Sequence, residues 1–174
     1  MPASGMADTK DWTWVLERPC PECGFDAGAL ARTDIGTTTR QVADRFVAFL
    51  AADDVRTRPD PETWSVLEYG CHVRDVCRVI DGRLRAMLDE DGARFANWDQ
   101  DATAIDDDYS SQDPAIVADE IRVAAAQVAD RFDAVTGDQW SHRGLRSNGS
   151  RFTVETLGQY MAHDLVHHVW DLGA

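Results

Sequence analysis

The stretch WSVLEYGCHVRDVCRVIDGRLRAML, residues 64–88, decides the fold. Val66, Tyr69, Val73, Val76, Ile80, Leu84 and Met87 recur at the spacing with which an α-helix lays one apolar stripe against a core. Pro59 and Pro61 precede it and Thr63 can cap it, so a long helix over roughly residues 64–90 is predicted. His72 shares that inward stripe with Tyr69 and Val76, where a lone ionisable side chain would lose its solvation unless something such as a metal ion compensated it.

Working outward, Asp34 is a candidate N-cap for an earlier helix carrying Ile35, Val42, Phe46, Phe49 and Leu50. Beyond the long helix, FANWDQDATAIDDDYSSQD (residues 95–113) is too long for the tight link expected between antiparallel neighbours and reads as a surface crossover. Asp113 and Pro114 open a third helix with the stripe Ile116, Val117, Ile121, Ala124, Val128, Phe132 and Val135, ended by Gly137. The polar stretch GDQWSHRGLRSNGSRF (137–152) reads as a loop, and a fourth helix starts near Thr153 with Val154, Leu157, Met161, Leu165 and Val169 inward. No strand pattern stands out. The expectation is an all-α four-helix bundle with a long crossover between helices two and three, over residues 34–174. Residues 1–33, with Pro19, Pro21, Gly24 and Gly28, form an irregular N-terminal arm packed on the bundle by Trp12, Trp14, Val15, Leu16 and Phe25.

Bulk composition narrows the function classes. A chain of 174 residues that is 44% hydrophobic builds one core and one domain. Its 17 basic and 31 acidic residues leave a formal charge of −14, which repels phosphate backbones and anionic membrane surfaces, so neither nucleic acid nor a membrane is an expected partner. No stretch approaches the roughly 20 apolar residues of a membrane span, and MPASGMADTKDW lacks the apolar region of a secretory signal. Cysteines at 20, 23, 71 and 77 are too few and too uneven for a disulfide framework. A cytoplasmic protein with reduced thiols is expected.

The string HDLVHH (163–168) holds three of the five histidines. His163 and His167 are an i, i+4 pair that stacks on one helix face, so both imidazoles can reach one ion, whereas His168 points about 100° away. With His72 they make three candidate ligands and leave a coordination position open, as a catalytic metal requires. Asp164, Asp75 or Glu68 can orient a ligand imidazole. The donors suit zinc, nickel, copper or iron, with zinc and nickel the expected ions.

Cys20 and Cys23 form a CxxC that fits half of a zinc site or a redox pair, yet no second CxxC follows and Cys71 and Cys77 do not share a helix face well. A rigid bend at PCPECG is the preferred reading. Cys71 reads as a small core residue, His142 as a solvated loop residue and the Asp run at 106–108 as solvated surface, since it lacks the spacing of a calcium loop. The tryptophans at 64, 98, 140 and 170 read as core and rim packing, with one or two at the mouth of the metal pocket.

WSVLEYGCHVRDV (64–76) on the second helix with MAHDLVHHVWDL (161–172) on the last resembles the DinB-like metal-binding four-helix-bundle family, over about residues 34 to 172. The resemblance implies a long crossover after helix two, a divalent metal bound by His72, His163 and His167, and a metal-dependent enzyme in which a low-molecular-weight thiol can serve as cosubstrate for S-transfer or isomerisation. The CPEC arm is extra to that bundle. The expected activity is therefore metal-dependent transfer, isomerisation or hydrolysis of a small molecule, with a non-catalytic metal-binding or partner-binding bundle as the alternative. A homodimer is expected as the commonest closed assembly.

Overall fold

A computed structural model describes residues 11–174. The bundle consists of α1 (Ile35–Leu50), α2 (Val66–Asp89), α4 (Pro114–Asp133) and α5 (Val154–Asp171), with a short α3 (Gln100–Asp106) in the crossover. α1 and α2 each pack against both α4 and α5, and α1 touches α2 far less, so α1 and α2 lie diagonally across the bundle. This order follows from the crossover, which lets α4 insert between the first two helices. Among the described residues no helix is long and apolar enough to cross a membrane.

The apolar stripes predict the buried faces well. Val73, Ile80, Leu84 and Met87 of α2 and Val154, Leu157, Met161, Leu165 and Val169 of α5 are all buried. Ile116 is not: it sits on the outer face of the first turn of α4. α2 is capped by Ser65, not Thr63; the Ser65 hydroxyl accepts from Glu68 N–H, and the Glu68 carboxylate accepts from Ser65 N–H. Asp113 caps α4 where that helix was expected to open, and Thr153, near which the last helix was expected to start, caps α5, while Asp34 makes no side-chain cap to α1.

Three short strands stand where only loop was expected. β1 (Ala93–Phe95) pairs in parallel with β2 (Arg143–Arg146), which forms an antiparallel hairpin with β3 (Arg151–Thr153). Each strand has only three or four residues, too few for alternation to register in the sequence. The sheet ties the start of the crossover to the segment before α5, and so closes one end of the bundle.

From residue 11 onward the arm is irregular, with short 3-10 turns, and it packs on α5. Val15, Cys20 and Ala27 are buried, and the Gln159 amide of α5 donates to the Leu30 carbonyl at 3.0 Å. The first ten residues of the expected arm lie outside the described residues.

Candidate metal centres

α5 presents two neighbouring ridges of potential ligands. Successive helical residues are about 100° apart, so His163 with His167 forms one i, i+4 ridge and Asp164 with His168 forms the next. The Asp164–His168 ridge faces α2, and the His163–His167 ridge faces the N-terminal arm.

On the α2 side, His72, Asp164 and His168 each offer one donor atom, all within 4.8 Å of one another. His72 Nε2 lies 3.3 Å from Asp164 Oδ2 but is not aligned as a hydrogen bond. Both His72 ring nitrogens and Asp164 Oδ2 are buried without any hydrogen-bond partner. Such orphans cost on the order of 1–3 kcal/mol each, so a protein that retains them signals an absent partner. Trp98 stacks on the His72 ring at 5.5 Å and Trp64 packs beside it at 5.4 Å. On the far side, His168 Nδ1 is 2.8 Å from Asp171 Oδ2, a carboxylate placed to orient that ring.

The electrostatics match this geometry. Burial pushes the His72 imidazole down, against the pull of Asp164, and so keeps it neutral. Burial raises Asp164, but the neighbouring His168 and His72 outweigh it and hold the carboxyl well below its ordinary range. For His168 burial again opposes charge, and Asp164 with Asp171 prevails, lifting the imidazole to about 9. Two imidazoles and a carboxylate are the donor set of hydrolytic zinc and non-haem iron sites, and they leave coordination positions open. The residues therefore fit a divalent metal.

On the arm side, Cys20, Cys23, His163 and His167 likewise place one donor each within 4.8 Å of one another. Cys20 Sγ is 3.7 Å from His167 Nδ1, and the two histidine rings are 5.2 Å apart. His163 Nε2 is buried without a partner, and burial, followed by the neighbouring His167, pushes this imidazole down to about 4.

The three histidines named from the sequence are thus divided. His72 belongs to one group of donors, and His163 with His167 belongs to the other. Asp164 and His168 stand in their place beside His72, because α2 approaches the next ridge around α5. The signal was present as a second i, i+4 pair, DLVHH, in the same string. PCPECG is a bend, as read, but its thiols meet a histidine pair instead of standing alone.

Beside both groups lies a cavity of about 430 Å3. Trp12, Trp98, Tyr160, Arg83 and Arg146 are among its walls. The two arginines are each 7% exposed. Arg83 donates to the Ala96 carbonyl, and Arg146 to Asn148 and Ser150, so their hydrogen bonds go to neutral groups. Burial, followed by repulsion from Arg146, pushes Arg83 down to about 10. Asp99, Asp164 and Asp171 line the same cavity, and the two arginines, held on neutral partners, are its places for an anionic group.

The remaining candidates are structural. Burial pushes the Cys71 and Cys77 thiols up to about 12, which removes them as nucleophiles. His142 is half-buried, its Nδ1 2.8 Å from the Met87 carbonyl, and so is less solvated than its loop position suggests.

A family model described as the DinB superfamily matches residues 36–172. The fold is similar to YfiT from Bacillus subtilis, described as a probable metal-dependent hydrolase with an unusual four-helix bundle topology, at TM-score 0.70 and 17% identity over 82% of this chain and 85% of that one. It is also similar to the mycothiol-dependent maleylpyruvate isomerase, at TM-score 0.67 and 15% identity over 85% of this chain and 63% of that one. The chain thus spans under two thirds of the isomerase. No curated protein matches the sequence.

Proposed function

This chain belongs to the DinB superfamily, and from that premise we propose that it is a metal-dependent enzyme whose catalytic ion is held by His72, Asp164 and His168 and whose substrate is a small anion. The observation that carries this reading is the set of buried, unpartnered atoms, His72 Nδ1 and Nε2 and Asp164 Oδ2, gathered with His168 beside the cavity.

Bound there, a divalent ion supplies a Lewis acid that makes water or a low-molecular-weight thiol nucleophilic near neutral pH. The chain's own residues do the rest. Trp64 and Trp98 shield His72 and keep its imidazole neutral, ready to donate a lone pair. Asp171 accepts from His168 and fixes the ring's orientation. Arg83 and Arg146 hold the anionic end of the substrate, which orients its reacting carbon toward the ligand cluster. The reaction class is thiol transfer, thiol-assisted isomerisation or hydrolysis. The isomerase's dependence on mycothiol and the hydrolase reading of YfiT make both nucleophiles worth testing.

The test is metal content and turnover together. Protein purified without a tag or chelator is assayed with anionic esters in water, and with α,β-unsaturated acids plus a panel of small thiols. Wild type should turn over at least one class, and His72→Ala and Asp164→Asn should lose both the ion and the activity. A metal-loaded wild type inert toward both panels would instead support a non-catalytic metal-binding bundle.

A further inference from the structure

We propose that Cys20, Cys23, His163 and His167 form a second, closed Cys2His2 zinc site that clips the N-terminal arm onto α5. It is independent of the His72 cluster and needs no catalytic role for it.

The local sequence prepares the thiol half. In CPECG, Cys20 N–H donates to the Phe25 carbonyl at 3.0 Å and Gly24 N–H donates to the Cys20 carbonyl at 2.9 Å. Gly24 closes the turn at φ +74°, a left-handed conformation that a side chain would resist. The turn brings both sulfurs to one side, where each lies within 4.8 Å of the donor atoms of His163 and His167. A CxxC thus meets an HxxxH across most of the chain, and both intervals are those used by Cys2His2 zinc sites.

The distances agree with one ion. With Zn–S about 2.3 Å and Zn–N about 2.0–2.1 Å, a tetrahedral site spaces a sulfur and a nitrogen about 3.6 Å apart. Cys20 Sγ and His167 Nδ1 are 3.7 Å apart. His163 is 4% exposed, and its buried Nε2 has no partner. The other edge of the His167 ring faces carboxylates. Its Nε2 lies 3.4 Å from Glu22 Oε2 and 3.7 Å from Asp171 Oδ1, either of which can accept the ring proton and leave Nδ1 free to ligate. Trp12 stacks over His163 at 6.1 Å and packs beside His167 at 5.8 Å, covering the site from the arm.

Charge separates the two centres. Zinc binding here displaces two thiol protons, and the two thiolates then cancel the ion's charge, so the buried site is neutral with four protein donors and no open position. One carboxylate at the His72 cluster leaves residual positive charge and open positions. The first pattern is structural and the second catalytic. Because Trp12 also walls the cavity, the clip holds a substrate-facing residue in place.

The experiment uses the full chain, kept reduced and reconstituted with cobalt(II). Wild type and His72→Ala should both show the thiolate-to-cobalt charge-transfer band with tetrahedral d–d bands, and Cys20→Ser and Cys23→Ser should lose it. Zinc content should fall by one ion per chain in the cysteine variants and by a different one in His72→Ala. Zinc-edge X-ray absorption of the wild type needs no variant, and sulfur scatterers at about 2.3 Å are expected. A reduced, folded wild type with only nitrogen and oxygen scatterers, or a thiolate band that vanishes with His72→Ala, overturns the proposal.

Discussion

His167 and His168 are neighbours in sequence, yet their rings stand nearly perpendicular, at 86°, and serve different partners. His167 turns its Nδ1 to Cys20 of the arm, while His168 lies edge-on to His72 of α2, with ring centroids 4.7 Å apart. One turn of α5 therefore feeds two clusters of donors, and the consequences can be measured separately.

Removing one ligand should weaken the coupling of stability to metal. Chelation of the wild type is expected to lower Tm, because ions that bind only the folded chain stabilise it by mass action. In Asp164→Asn the His72 cluster loses its anionic donor, so the chelator-induced shift should shrink without vanishing if the cysteine-containing cluster still holds zinc. Differential scanning calorimetry with and without chelator reads this; an unchanged shift in Asp164→Asn counts against ligation by that carboxylate.

Affinity of the His72 cluster should rise with pH. In the metal-free protein His168 carries a proton up to about 9, and this proton must leave before the ring can ligate. Apparent affinity is therefore expected to climb about tenfold per pH unit below 9 and to level off above it. The same shift has the opposite sign for the metal-free fold. A raised histidine pKa contributes stability that is fully present below the unfolded value near 6.5 and is lost as pH rises through 9. Competition titrations and chemical denaturation across pH 6–10, on Cys20→Ser protein so that only this cluster is followed, check both slopes.

The arginine pair should bind anions. Arg83→Met and Arg146→Met are each expected to weaken binding of a carboxylate or sulfate by about 10- to 100-fold, the worth of a charge-assisted hydrogen bond of about 1.5–3 kcal/mol. Raised KM with little change in kcat would identify binding, as opposed to chemistry, as the step lost. Isothermal titration with an inert dicarboxylate gives the first number; equal affinity in wild type and both variants would remove the arginines from substrate recognition.

Gly158 should prove intolerant of a side chain. A Cβ there would lie 2.6 Å from Ile35 Cδ1 and 2.8 Å from Phe132 Cε1, where α5 meets α1 and α4. Gly158→Ala is expected to destabilise by about 1–3 kcal/mol through overpacking, although alanine is the better helix former. Urea unfolding measures it, and a stabilised variant would show that the helices can move apart at little cost.

The four long helices are legible in the amino-acid order alone, because each carries an apolar stripe over several turns, and caps such as Asp113 and Thr153 act within a few residues. His72 and the HDLVHH string are legible in the same way as places where donors gather, since an ionisable group on an apolar stripe is costly alone. The three short strands are not, because a strand of three residues has no period to read and is held by partners distant in the chain. Nor does any local pattern say which ridge of α5 meets which partner. A helix turns about 100° per residue, so turning α5 by that one step about its axis exchanges His163 and His167 for Asp164 and His168 before α2 without altering any local spacing. Packing settles that rotation through contacts such as Gly158 against Ile35 and Phe132, and it brings Cys20 and Cys23 of the arm to the ridge that α2 leaves.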